Sequence, residues 1–191
     1  MNRRVLPLLA LALFPVACTP TPLPSHAFLL SAAPFGSNQD PQTAALEFGS
    51  WTLSREANSR NNPIGGARAI AAVDYLAGDL YANPRWEFID PLIKLQMLQG
   101  RAEVRQAIGI QPNAPSQQVV DALLAVSSAL AVGNGPATMA SLQSPVFTLP
   151  PQQTYQLLAN LPPLPIANVA MQRFNSVVNS PSNVGRCPPC G

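Results

Sequence analysis

Proline decides what this chain can build. The 191 residues include 22 prolines, ten of them grouped at Pro20, Pro22 and Pro24, at Pro150-Pro151, at Pro162-Pro163-Pro165 and at Pro188-Pro189. A proline lacks the backbone donor and clashes with the preceding turn, so it is tolerated in the first turn of a helix and excluded from its interior. Here the prolines punctuate alanine-rich stretches whose apolar residues recur every three or four positions, which is the period of a helix. The chain is therefore cut into helices of limited length.

Asp40-Pro41 predicts an N-cap with proline at the first helical position, followed by Ala44, Ala45, Phe48 and Trp51 at helical spacing to about Asn58. Residues 58–66, with Asn61-Asn62-Pro63 and Gly65-Gly66, read as a loop. Ile70, Val73, Leu76, Ala77 and Leu80 mark a second helix that stops near Asn83-Pro84. Asp90-Pro91 repeats the cap and opens a third helix through Leu92, Leu95, Leu98 and Ala102 to about Ile108-Gly109. Ser116 is placed to cap a fourth, whose apolar residues from Val119 to Leu130 nearly encircle it and make it the expected central helix. Shorter segments follow at 136–142 and 151–160, then a longer one from Ile166 to Val177. With no convincing strand, the expectation is an all-α fold, an irregular or orthogonal bundle of about five to seven helices.

The first eighteen residues carry a different message. Arg3 and Arg4 precede a dozen mostly apolar residues from Val5 to Val16, too short for a span of about 20 residues. Val16-Ala17-Cys18-Thr19 follows. This resembles the export signal of bacterial lipoproteins, with Pro15 where that family prefers leucine. The resemblance implies cleavage before Cys18, acylation of that cysteine, and residence in the cell envelope, at the outer membrane since Thr19 follows in place of aspartate. Ser25-His26-Ala27 offers an alternative: an ordinary secretory cleavage site that would release a soluble protein beginning at Phe28.

Domain boundaries follow from these readings: a signal over 1–17, a lipidated Cys18 with a Pro-rich tether over 18–38, a helical domain over 39–180 and a tail over 181–191. Within the tether Phe28, Leu29 and Leu30 stand out as residues that either dock on the core or touch lipid.

Composition excludes one partner class. Without Arg3 and Arg4 the chain holds nine basic and nine acidic residues, scattered and interleaved, whereas nucleic-acid binding needs a clustered basic stripe. Only 10% of residues are charged and 47% are hydrophobic, so an intrinsically disordered chain is not expected.

Motifs for chemistry are incomplete. Cys187-Pro188-Pro189-Cys190 has the C-x-x-C form, but only Gly191 follows it, so no helix can lower the attacking thiol's pKa, and a structural or partner-facing disulfide is the reading. His26 is the single histidine, which leaves neither a Ser-His-Asp set nor a metal set, and no cofactor is expected. Glu47, Glu56, Asp74, Asp79, Glu87, Asp90 and Glu103 could supply paired carboxylates for glycan cleavage, though exposed helix acids are the commoner reading. Trp51, Tyr75, Tyr81, Trp86 and Phe88 either line a groove or fill the core. Arg85-Trp86-Glu87-Phe88 is the densest polar-aromatic cluster and the expected partner surface.

The functional expectation is an envelope lipoprotein acting as a non-catalytic interaction or assembly module, with a membrane partner through its lipid, an envelope protein as a further partner, and no nucleic acid. A carrier of an apolar small molecule is the alternative, and an envelope enzyme a third.

Overall fold

The computed structural model describes residues 24–180, so Cys18, Cys187 and Cys190 lie outside the described residues. Eight α-helices follow in order: α1 Pro41–Leu53, α2 Glu56–Ser59, α3 Pro63–Ala82, α4 Pro91–Ala107, α5 Ser116–Ala131, α6 Gly135–Ser141, α7 Pro151–Ala159 and α8 Pro165–Val178. No strand is formed among the described residues, and a lone bridge pairs Ile110 with Phe147. The all-α bundle is thus the fold, its eighth helix being the single turn α2.

Capping chemistry sets several starts as expected. The Asp40 carboxylate accepts from the Thr43 amide at 3.1 Å and the Asp90 carboxylate from the Leu92 amide at 2.7 Å, each with proline at N1. Two starts differ from expectation. Asn62 caps α3 by accepting from the Gly65 amide at 2.9 Å, which puts Gly65-Gly66 inside the helix and not in a loop. Pro115 is the N-cap of α5, and Ser116 spends its hydroxyl elsewhere.

The central helix is α3, not α5. Every residue from Ala69 to Leu80 on α3 is buried, whereas Gln118, Asp121, Ala125 and Ser128 leave α5 one exposed side. Alanine and glycine supply much of the α3 surface, and small side chains let neighbours approach from all around. α1, α4, α5 and α7 all pack on it, while α8 closes the other side of α1 and α4. Close approach is literal at Gly100, where an added β-carbon would stand 2.9 Å from the Ala167 α-carbon of α8.

One buried ion pair crosses this core. Arg105 of α4 donates from Nε and Nη2 to the two carboxylate oxygens of Asp74 on α3, at 2.6 and 2.9 Å. Its Nη1 donates to the carbonyls of Pro112 and Ala114 at 2.8 and 2.9 Å, and Nη2 also reaches the Ser116 hydroxyl at 3.2 Å. All three guanidinium nitrogens have acceptors, which is what keeps a buried charge tolerable.

The segment expected to be an extended tether up to residue 38 is instead part of the body from Ser25 onward. Ala27, Ala32 and Phe35 are buried, and Phe35 meets Phe48 of α1 with ring centroids 5.9 Å apart.

Candidate functional site

The expected surface cluster is divided by the fold. Asn83 caps a 3-10 turn over Pro84–Trp86 that swings Trp86 inward. Its ring is 1% exposed and lies edge-on to Phe174 with centroids 5.1 Å apart. The indole N–H donates to the Asp79 carboxylate at 2.6 Å. Trp86 is therefore a core residue with a satisfied polar tip, and not part of a partner surface. Arg85 lies 4.9 Å over the Trp86 ring and bridges to Asp40 at 2.9 Å. Glu87 and Phe88 stay at the surface. Tyr75 is also core, Tyr81 is half-buried and Trp51 is exposed, so the five aromatics do not share a groove.

The acids are dispersed in structural work. Asp74 holds Arg105, Asp90 caps α4, Glu56 faces Arg60 at 3.5 Å, and Glu103 accepts from the first amides of α8, Ile166 at 3.3 Å and Ala167 at 2.8 Å. No group of three His, Cys, Asp or Glu side chains is placed to hold a metal among the described residues. Asp79 is a buried acid whose environment disfavours its charge. Burial raises its pKa, against the hydrogen bonds from Trp86 and Asn83 and the nearby positive charge of Arg85. Burial raises the neighbouring Tyr75 phenol too, helped by the Asp79 charge.

The densest polar convergence lies elsewhere, where the N-terminal segment crosses α3. Ser25 and His26 run directly over Gly78, whose missing side chain is the space they occupy. The Ser116 amide donates to the Ser25 hydroxyl at 2.9 Å, and the Ser116 hydroxyl donates to the Ser25 carbonyl at 3.1 Å. Arg101 donates to the same carbonyl at 2.8 Å and to the Ser116 hydroxyl at 3.2 Å. Next to Ser116, Gln117 takes both backbone groups of Phe28, accepting from its amide at 2.7 Å and donating to its carbonyl at 3.4 Å. That side-chain amide imitates a neighbouring strand, so the segment is clamped at two points.

Burial lowers the pKa of Arg101, opposed by Asp74, yet a guanidinium remains charged. It forms no ion pair among the described residues. Two depressions flank this crossing. One, of about 630 Å³, is lined by Pro24, Ser25, His26, Phe28, Tyr81 and Ala82. The other, of about 590 Å³, is walled by Leu98, Arg101, Ile110 and Pro112, among others.

Sequence reasoning missed this clamp. Gly78 in mid-helix was its one available signal, because such a glycine weakens a helix by about 1 kcal/mol relative to alanine and is retained for packing or function. Nothing in the spacing of Ser25, Arg101 and Ser116 announces that they meet. No protein-family model, curated protein or solved structure matches the chain.

Proposed function

We propose that the chain is a cell-envelope lipoprotein, anchored through Cys18, whose helical body works as a non-catalytic interaction module. The observation that carries this reading is the clamp on Ser25. Cleavage before Phe28 would discard Ser25, with its bonds to Ser116 and Arg101, and Ala27, which is 1% exposed. The half-buried Arg101 and the groove over Gly78 would be left uncovered. The packing of the body therefore favours the upstream cut, at the lipoprotein-like signal.

Surface chemistry supports a partner-binding role over an enclosed reaction site. Leu92 and Leu95 on one side of α4, with Phe88 in the turn before it, are each about half exposed. They extend the expected cluster from Phe88 onto α4 and compensate for the loss of Trp86 to the core.

Intact-mass measurement of the native product tests the anchor. The expected result is an acylated chain beginning at Cys18; a soluble chain beginning at Phe28 overturns it. Cross-linking in native envelopes tests the module: Phe88→Ser with Leu92→Ser is expected to abolish the cross-linked product while the thermal midpoint stays unchanged. Retention of the product removes that surface from the reading.

A further inference from the structure

The N-terminal segment displays two large apolar side chains to solvent from a backbone that is held still. Ala27 and Ala32 point into the body, Leu29 packs partly against it, and Phe28 and Leu30 point out, 69% and 100% exposed. Gln117 grips the Phe28 backbone at both its amide and its carbonyl, so this outward presentation is built into the segment.

Around these two side chains the surface has the make-up of a membrane interface. Tyr81 and Phe28 line the same groove. The Lys94 ammonium lies 6.0 Å from the Tyr81 ring, and Arg101 stands beside Ser25. Lys94 and Arg101 form no ion pair among the described residues. Of the nearby acids, Asp74 is bound by Arg105, Asp79 is buried against Trp86, Asp90 at the start of the helix carrying Lys94 caps it by accepting from the Leu92 amide, and Asp121, at the α5 edge, accepts from Gln117 at 2.9 Å. Exposed apolar groups with an aromatic ring and unpaired cations beside them match the acyl boundary and the phosphates of a lipid surface.

We infer that this face, presenting Phe28, Leu30, Tyr81 and Lys94, rests on the phospholipid surface that holds the acyl chains of Cys18. The inference rests on the anchored reading. Six residues separate Cys18 from Ser25, and that length of chain reaches at most about 25 Å. The leash ends at Ser25, which lines the same groove as Phe28 and Tyr81, so this face is the part of the body brought to the bilayer first. Trp51 lines a different groove, between α1 and α8, and serves as an internal comparison.

The test uses full-length protein purified from envelopes and reconstituted in vesicles of phosphatidylethanolamine and phosphatidylglycerol with brominated acyl chains, which quench tryptophan at the acyl boundary. Phe28→Trp combined with Trp51→Phe is expected to lose about half its emission or more, while wild type, with Trp51 and the buried Trp86, is not quenched. Lys94→Glu in that background is expected to weaken the quenching when phosphatidylglycerol is present and to leave it unchanged without it. An acylated Phe28→Trp product whose emission is unquenched overturns the inference and leaves the anchor standing. Should intact mass show no acyl group, the anchored reading falls, and the same variant mixed with phosphatidylglycerol vesicles decides the surface alone: quenching keeps it and its absence removes it.

Discussion

The Ser25 carbonyl occupies the place where a side chain on Gly78 would begin: a β-carbon there would stand 2.5 Å from the Ser25 oxygen and 2.6 Å from the His26 α-carbon. Both obstacles are backbone, so neither can rotate away.

Gly78→Ala is therefore expected to lift the N-terminal segment and spare the bundle. Alanine strengthens the helix by about 1 kcal/mol, while the forced overlap opposes docking by about 1–3 kcal/mol. Hydrogen exchange reads the outcome at the Phe28 amide, which Gln117 protects. Protection that survives the substitution would show that the crossing is looser than its geometry implies.

Arg105→Met is expected to destabilise the protein by about 3–5 kcal/mol, because it strands the Asp74 carboxylate in the core. Asp74→Leu together with Arg105→Met should recover a good part of that loss, since no charge is left unpaired. Urea unfolding of the two variants measures the difference. Equal loss in both would assign the effect to packing alone.

Two carboxylates should tilt stability with pH in opposite directions. Burial raises the folded pKa of Asp79, so the folded state holds its proton longer than the unfolded chain, and stability falls as pH climbs from 3.8 through the folded value. Burial also works against the charge of Asp40, but donors from Thr43 and Arg85 prevail and lower its pKa. Its contribution is present above 3.8 and is lost as pH drops through the folded value. Asp79→Asn keeps an acceptor for the Trp86 indole, so its thermal midpoint should exceed that of wild type near neutral pH and lose the advantage in acid. A pH-independent difference would contradict the sign for Asp79.

Trp86→Phe and Phe88→Ser separate a core aromatic from a surface one two residues away. The first removes the donor to buried Asp79 and is expected to cost about 1–3 kcal/mol; the second should stay within about 0.5 kcal/mol. Chemical denaturation distinguishes them, and equal effects would argue against the inward swing of Trp86.

How far the fold was legible depended on how local its causes are. Asp40-Pro41 and Asp90-Pro91 announced α1 and α4 because a cap and its helix are adjacent in sequence. The identity of the central helix was hidden, because a count of large aliphatic side chains favours α5 over the alanine- and glycine-rich α3. What centres α3 is how closely neighbours can approach it, a property of small side chains that such counts ignore. Trp86 misled for a similar reason: a polar-aromatic cluster between helices looks exposed until Asp79, seven residues earlier, is found beneath its indole. The clamp was invisible because Ser25 and Ser116 are 91 positions apart.

Ser116 receives hydrogen bonds from Arg101 and Arg105 while it holds Ser25, and Arg105 is in turn fastened to α3 through Asp74. Tension applied at residue 25 is consequently delivered to the middle of the molecule, across several helices at once. A pull there has to shear a set of parallel bonds together, whereas a pull on a frayed end would open a terminal helix one turn at a time. Single-molecule stretching from this point should meet high resistance followed by abrupt, all-at-once rupture.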